Sequence, residues 1–137
     1  MIKKQKTIKY PVSCTGIGLH TGVESTITFH PAKENFGVKF MRNDQKDQIV
    51  TPDIENVIDL TRGTTIEENG VRVHTTEHVM SACAGMGVTN LLIELNSKEP
   101  PVMDGSAKDF VAALNEGQII EQDSKVDFLR ITKPIFY

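Results

Sequence analysis

A carboxylate and an imidazole stand side by side in the tetrapeptide Thr75-Thr76-Glu77-His78. A catalytic zinc usually takes three protein ligands, often histidines, and keeps a fourth position for water. A nearby carboxylate can then take a proton from the water that the metal has made more acidic. Neighbouring residues on a helix project about 100° apart, so Glu77 and His78 can approach one water molecule from two sides. The pair indicates part of a zinc hydrolase, with Glu77 as general base and His78 as metal ligand.

An ordinary helix start explains the same pair, because glutamate is favoured in the first helical turn by the helix dipole. The H-E-x-x-H metalloprotease pattern is absent, since Glu77 precedes His78 and no second histidine follows at the required spacing. His74 lies four residues before His78, but the two threonines between them predict a junction of strand and helix. We therefore predict that His74 lies on the solvent face of the preceding strand. No other cluster of His, Cys or Asp completes a metal site in the sequence.

His20 lies in a glycine-punctuated segment, residues 15–22, that predicts a turn between two strands. Backbone amides and an imidazole in such a turn can hold a phosphate or line a cleft. A turn with a solvated histidine explains the pattern as well. The G-x-G spacing is not a dinucleotide fingerprint, which requires a helix to follow.

Composition restricts the class of protein. The 137 residues match one domain, and 39% hydrophobic content can form a core. A net charge of −3 with 24% charged residues favours neither disorder nor a nucleic-acid partner. Cys14 and Cys83 lack a C-x-x-C motif and predict buried thiols in a reducing cytoplasm. From the given residues we expect neither a signal peptide nor an integral membrane segment. The lysines of residues 3–9 fit either the wet face of a strand or an anionic membrane surface.

The pattern of apolar residues predicts an α+β domain, with two helices packed on one face of one sheet. Alternation predicts strands near residues 8–12, 23–29, 36–40, 63–66, 71–73, 90–95, 118–121 and 126–132, with a polar loop at 42–56. Asn69-Gly70 predicts a hairpin turn. The first helix is predicted over residues 77–85, capped by Thr75 or Thr76 and closed by Gly87. The second follows a turn at 104–106, with Ser106 as its cap, and ends before Gly117.

Four segments, residues 15–22, 76–78, 84–87 and 99–107, occur in this order and at similar separations in one bacterial family. In them the chain resembles the UDP-3-O-acyl-N-acetylglucosamine deacetylases of lipid A biosynthesis, and the resemblance covers nearly the whole chain. It implies two similar α+β domains packed face to face around a zinc, of which this chain matches the first. We expect that domain over residues 1–132. Residues 133–137, which are apolar and aromatic, are expected to begin a linker or the second domain.

The resemblance also implies roles for three residues. The family's general base falls on Glu77, its first zinc ligand on His78, and a histidine of the substrate cleft on His20. The remaining ligands, a histidine and an aspartate, and a general-acid histidine belong to the second domain of the same chain. Residues 60–65 replace a more apolar family loop, so their contacts stay open, as does fusion of the parent chain to an acyl dehydratase.

The implied reaction is the zinc-dependent hydrolysis of the N-acetyl group of UDP-3-O-acyl-N-acetylglucosamine, with release of acetate. We expect the fragment alone to be inactive and nearly free of zinc, because a single imidazole binds the ion weakly. Two other functions remain open. The chain could be a non-enzymatic α+β ligand-binding module, or a small phosphate-binding protein that uses the turn at residues 16–22.

Overall fold

A computed structural model describes residues 3–137, so the first two residues of the predicted domain lie outside the described part. Within it the elements follow in the order β1 (Lys4–Ile8), β2 (Val12–Ile17), β3 (Glu24–Pro31), β4 (Val38–Arg42), β5 (Gln48–Val50), β6 (Val57–Asp59), β7 (Thr65–Glu68), β8 (Val71–Val73), α1 (Glu77–Met86), β9 (Leu91–Leu95), α2 (Lys108–Glu116) and β10 (Ile119–Lys125). Short 3-10 turns lie at Asn43–Gln45 and Ile54–Asn56. No helix of the described residues has the length and apolar character that a membrane span requires.

The described strands form three sheets. The largest has the order β2-β3-β9-β4-β5, a second consists of β6-β7-β8, and a third pairs β1 with β10. Strands β4 and β9 run parallel, and the other neighbouring pairs run antiparallel. The predicted α+β class is confirmed, although the strands divide among three sheets instead of forming one.

The core lies between the five-stranded sheet and the helices. Strand β9 buries Leu91, Ile93 and Leu95 on one face, as its alternating sequence predicts. Phe110 of α2 meets Phe29 of β3 edge to face, with ring centroids 6.3 Å apart. Such aromatic pairs add to the free energy gained by burying apolar area. The pair therefore fixes α2 against the sheet.

Both predicted helices are present. Helix α1 runs one residue further than predicted, to Met86, and is closed by Gly87, whose φ of 69° lets its N–H bond the carbonyls of Cys83 and Ala84. Helix α2 begins at Lys108, and the hydroxyl of Ser106 accepts the Lys108 N–H at 3.1 Å. Ala107 occupies the N-cap position, and Ser106, one residue earlier, accepts a hydrogen bond from the first residue of the helix.

Several predicted boundaries are wrong. The first run does not continue through Tyr10, because the N–H groups of Lys9 and Tyr10 turn away to the carbonyl of Gly117 at 2.8 and 3.0 Å. The glycine-rich turn begins only at Gly18, since β2 extends to Ile17.

The polar segment 42–56 contains strand β5, and β6 follows it without having been predicted. Both have three residues, too few to show a period. The predicted strand at 126–132 is absent. Within the described residues this segment has a backbone hydrogen bond at its start, from the Val126 N–H to the Lys3 carbonyl at 2.9 Å.

Candidate functional site

The junction between β8 and α1 is held in an uncommon backbone conformation. Thr75 has a φ of 54°, in the left-handed region that a β-branched residue rarely adopts, at a cost of about 1–3 kcal/mol. Its hydroxyl donates to Oε1 of Glu99 at 2.7 Å. The hydroxyl and the N–H of Thr76 both donate to the carbonyl of Thr64 at 3.1 Å. Thr76 occupies the predicted N-cap position of α1, but it makes no side-chain capping bond, because the hydroxyls of both threonines bond to other segments.

Glu77 and His78 occupy the first turn of α1 directly after this junction. Oε1 of Glu77 lies 4.0 Å from Nε2 of His78, and each side chain is 37% exposed. Oε2 of Glu77 accepts the N–H of Thr64 at 2.8 Å. Because neither side chain is enclosed by apolar packing, water or a small molecule can reach both.

His20 reaches the segment at residues 60–65, whose contacts the sequence left open. Its Nε2 lies 3.1 Å from the carbonyl oxygen of Arg62. Since a carbonyl oxygen can only accept, Nε2 carries the proton, and Nδ1 is the ring nitrogen left for another partner. Arg62 contacts His20 and Thr64 contacts Glu77, so one short loop touches two of the three predicted site residues.

A cavity of about 460 Å³ lies between the glycine-rich turn, this loop and the segment after β9. Its lining consists of His20, Thr21, Val23, Asp59, Arg62, Gly63, Thr65, His74, Thr75, Lys98 and Glu99. Glu77 lies behind the wall at Gly63, where an added Cβ would come within 3.1 Å of its Oε1. The cavity and the Glu77–His78 pair are therefore adjacent.

Glu99 was missed as a functional candidate. Its side chain is fully buried and accepts the N–H groups of His20 and Thr21 and the hydroxyl of Thr75. Burial raises the pKa of its carboxyl, but the hydrogen bonds from Thr75, Thr21 and His20 outweigh burial and hold the pKa below its usual value. An acidic residue directly before Pro100 was the signal, since an ionised side chain there is either solvated or bound by several donors.

His74 does not lie on the solvent face, so that prediction is wrong. It is half-buried and lines the cavity, with Nδ1 3.0 Å from the Thr65 hydroxyl and its N–H bonded to the Lys98 carbonyl. The cause is the approach of residue 98, whose carbonyl accepts the backbone N–H of His74 and which lines the same cavity. Burial, followed by the positive charge of Lys98, lowers the pKa of His74.

The donors in the described residues suit one zinc ligand. His78 presents a partly exposed imidazole nitrogen beside a carboxylate, which is the donor chemistry that zinc accepts. No three His, Cys, Asp or Glu side chains converge anywhere in residues 3–137.

Comparison with known proteins gives consistent matches. The family model for LpxC, UDP-3-O-acyl N-acetylglycosamine deacetylase, matches residues 5–137. The chain is 48% identical over 136 residues to the bifunctional enzyme LpxC/FabZ of Chlorobaculum tepidum, covering 98% of this chain and 29% of that protein. It is 41% and 44% identical to the UDP-3-O-acyl-N-acetylglucosamine deacetylases of Psychrobacter sp. and Cellvibrio japonicus, each match covering 96% of this chain. These matches span 45% and 44% of the two relatives, less than half their length. The chain belongs to the UDP-3-O-acyl N-acetylglycosamine deacetylase family.

Proposed function

We propose that the chain, over residues 1–132, is the N-terminal domain of an enzyme that hydrolyses the N-acetyl group of UDP-3-O-acyl-N-acetylglucosamine in lipid A biosynthesis. Acetate and the free amine are the products. The observation that carries the proposal is the approach of Glu77 Oε1 to His78 Nε2, 4.0 Å apart and partly exposed beside a cavity. The names of the relatives support the substrate. We place the enzyme in the cytoplasm, where nucleotide sugars are made and both cysteines stay reduced.

Glu77 is the general base in this proposal. Its Oε2 is occupied by the N–H of Thr64 at 2.8 Å, so Oε1, the oxygen that faces His78, is free to accept a proton from the attacking water. The backbone donor fixes the direction of the carboxylate before substrate binds. Glu77 thus needs little reorganisation to take the proton.

His78 is one ligand of a zinc ion in this proposal. Zinc held there would polarise the amide carbonyl and make a water molecule more acidic. The remaining ligands and the acid that protonates the leaving amine come from a C-terminal domain that begins after about residue 132. That domain and this one form the complete site together.

His20 binds substrate in this proposal. Its Nε2–H is fixed by the Arg62 carbonyl at 3.1 Å, which leaves Nδ1 to hydrogen-bond a substrate group. Arg62 and Lys98 line the same cavity, beside the carboxylates of Asp59 and Glu99, and they are the groups there that can pair with an anionic part of the substrate such as a diphosphate.

Substitutions in the full-length enzyme test the assignment. Glu77→Gln should lower kcat by about 100-fold or more while bound zinc stays unchanged, because the base is lost and the ligand kept. His78→Ala should lower zinc content measured by elemental analysis. Glu55→Gln, in an exposed 3-10 turn, is the control and should change neither. Near-normal turnover by Glu77→Gln would remove Glu77 as the base, whereas absence of deacetylation by the parent protein would favour a non-enzymatic binding module.

The isolated fragment gives a second test. Residues 1–137 should fold, as followed by circular dichroism, but bind zinc far below one equivalent and release no acetate. The reason is that a single imidazole supplies one of the three protein ligands that a catalytic zinc needs. Stoichiometric zinc together with deacetylation by this fragment would refute the division between two domains.

A further inference from the structure

The carboxylate of Glu99 joins the two segments that carry the site residues. Its Oε2 accepts the N–H groups of His20 and Thr21 at 3.1 and 3.0 Å, and its Oε1 accepts the hydroxyl of Thr75 at 2.7 Å and, at a longer 3.3 Å, the same N–H of His20. The side chain is fully buried, and the ion pairs of the described residues do not include it. Three donors therefore converge on a group that only accepts.

This arrangement discriminates between glutamate and glutamine. A glutamine of the same shape would direct an N–H₂ group towards at least one of these donors, because only one of its two terminal atoms accepts. Burying the charge of Glu99 costs free energy, but a neutral side chain of equal size cannot accept all three hydrogen bonds. The three donors therefore require a carboxylate at residue 99.

Gly18 shows how closely the turn is fitted to Glu99. A Cβ at Gly18 would lie 2.7 Å from Oε2 of Glu99 and 2.3 Å from the Thr21 hydroxyl. The backbone of the turn can therefore approach the carboxylate only with glycine at this position. The close approach of Gly18 to Glu99 is therefore part of the structure of the turn that carries His20.

On the other side, Glu99 holds Thr75 in its left-handed conformation, with a φ of 54°. Thr75 directs the chain into α1, and Glu77 follows two residues later. We propose that Glu99 is a positioning residue that sets the placement of His20 relative to Glu77, an inference that rests on the proposed function. Its Oε2 acts on substrate binding through the turn, and its Oε1 acts on proton transfer through Thr75.

Because the hydroxyl of Thr75 bonds Oε1 alone and the N–H of Thr21 bonds Oε2 alone, kinetics can separate the effects of these two contacts. In the full-length enzyme, Thr75→Val removes the donor to Oε1 and should lower kcat by about 10-fold with little change in KM. Glu99→Gln disturbs both the contact with Thr75 and the contacts with His20 and Thr21, so it should lower kcat and raise KM, each by about 10-fold. Adding Thr75→Gly to Glu99→Gln should restore kcat and leave KM raised, since glycine adopts the left-handed conformation without a tether.

Glu34→Gln is a matched control. Glu34 also accepts two backbone N–H groups and one hydroxyl, those of Asp123 and Ser124, at 2.6, 3.0 and 2.8 Å. Glu34 is half-buried, so a loss that arises from weaker folding should also appear in Glu34→Gln, although to a smaller extent. We expect that variant to keep the kcat, KM and zinc content of the parent enzyme.

Amide hydrogen exchange supplies a measurement independent of turnover. The N–H groups of His20 and Thr21 should exchange faster in Glu99→Gln and at the parent rate in Thr75→Val. Unchanged exchange in Glu99→Gln, or unchanged kcat in Thr75→Val, would overturn the inference. If Glu99→Gln does not fold, Thr75→Val alone decides through its kcat. Normal turnover by Glu77→Gln would instead overturn the proposed function, so the two failures are distinguishable.

Discussion

Gly63 is the point at which the loop at residues 60–65 touches the base, and Gly63→Ala should displace that base. A Cβ at Gly63 would lie 3.1 Å from Oε1 and 3.6 Å from Oε2 of Glu77. Ordinary contacts begin near 3.4 Å, so the carboxylate must retreat by about 0.3 Å. It cannot rotate freely, because Oε2 is bonded to the N–H of Thr64.

The expected loss of activity follows from this displacement. If a misplacement of about 1 Å costs on the order of 100-fold in rate, then about 0.3 Å should cost about 4-fold in kcat. KM and zinc content should stay unchanged, since neither His20 nor His78 touches the new methyl group. The φ of 154° at Gly63 adds backbone strain, which lowers the free energy of unfolding by about 1–3 kcal/mol.

Gly70→Ala separates the contact from the strain. Gly70 has a φ of 79° in the hairpin turn between β7 and β8, and a Cβ there would have no atom within 4 Å. This control should lose about as much stability in urea unfolding but keep its kcat. Equal loss of kcat in both variants would show that strain alone acts, and full activity of Gly63→Ala would show that the carboxylate is not the base or is not displaced.

Three further predictions concern stability and are measured by urea unfolding. Phe110→Ala should lower the free energy of unfolding by about 3–5 kcal/mol, because it leaves a cavity beside Phe29; a loss below about 1 kcal/mol would contradict this packing. Asn90→Ala should cost about 2 kcal/mol or more, since Nδ2 of Asn90 donates to Gln5 and Gln122; exposed Asn115→Ala should cost much less. Burial raises the pKa of Cys83 from 9.0 to about 12, so the unfolded state loses the thiol proton first and stability should fall by roughly 1 kcal/mol per pH unit between these values. Cys83→Ala should lack this part of the slope, and an identical slope in both proteins would refute it.

The elements that could be predicted are those whose pattern is local. Strand β9 and helix α2 have clear periods, and Asn69-Gly70 forms the predicted turn, with both residues at positive φ. The division into three sheets could not be predicted, because it depends on pairings such as β4 with β9, which are distant in sequence. Strands β5 and β6 are too short for their period to be recognised.

The site divides in the same way. Glu77 and His78 are adjacent in the sequence, so their proximity follows from the start of one helix, while their catalytic roles remain predictions. Glu99 is separated in sequence from Thr75 by 24 residues and from His20 by 79 residues. A local sequence pattern cannot indicate contacts between residues so far apart. The position of His74 was predicted wrongly for the same reason, because its backbone N–H bonds the carbonyl of Lys98 in a distant segment.

The pairing of β1 with β10 has a consequence for biosynthesis. Lys4 to Ile8 align with residues 119–125, so the ladder joins the first strand to the last. At roughly 5–20 residues per second, a nascent chain leaving the ribosome carries β1 without this partner for on the order of ten seconds. An open strand edge can bind another chain, and charged lysines discourage such encounters. Lys4 and Lys6 thus discourage pairing of β1 with other chains until β10 has been synthesised.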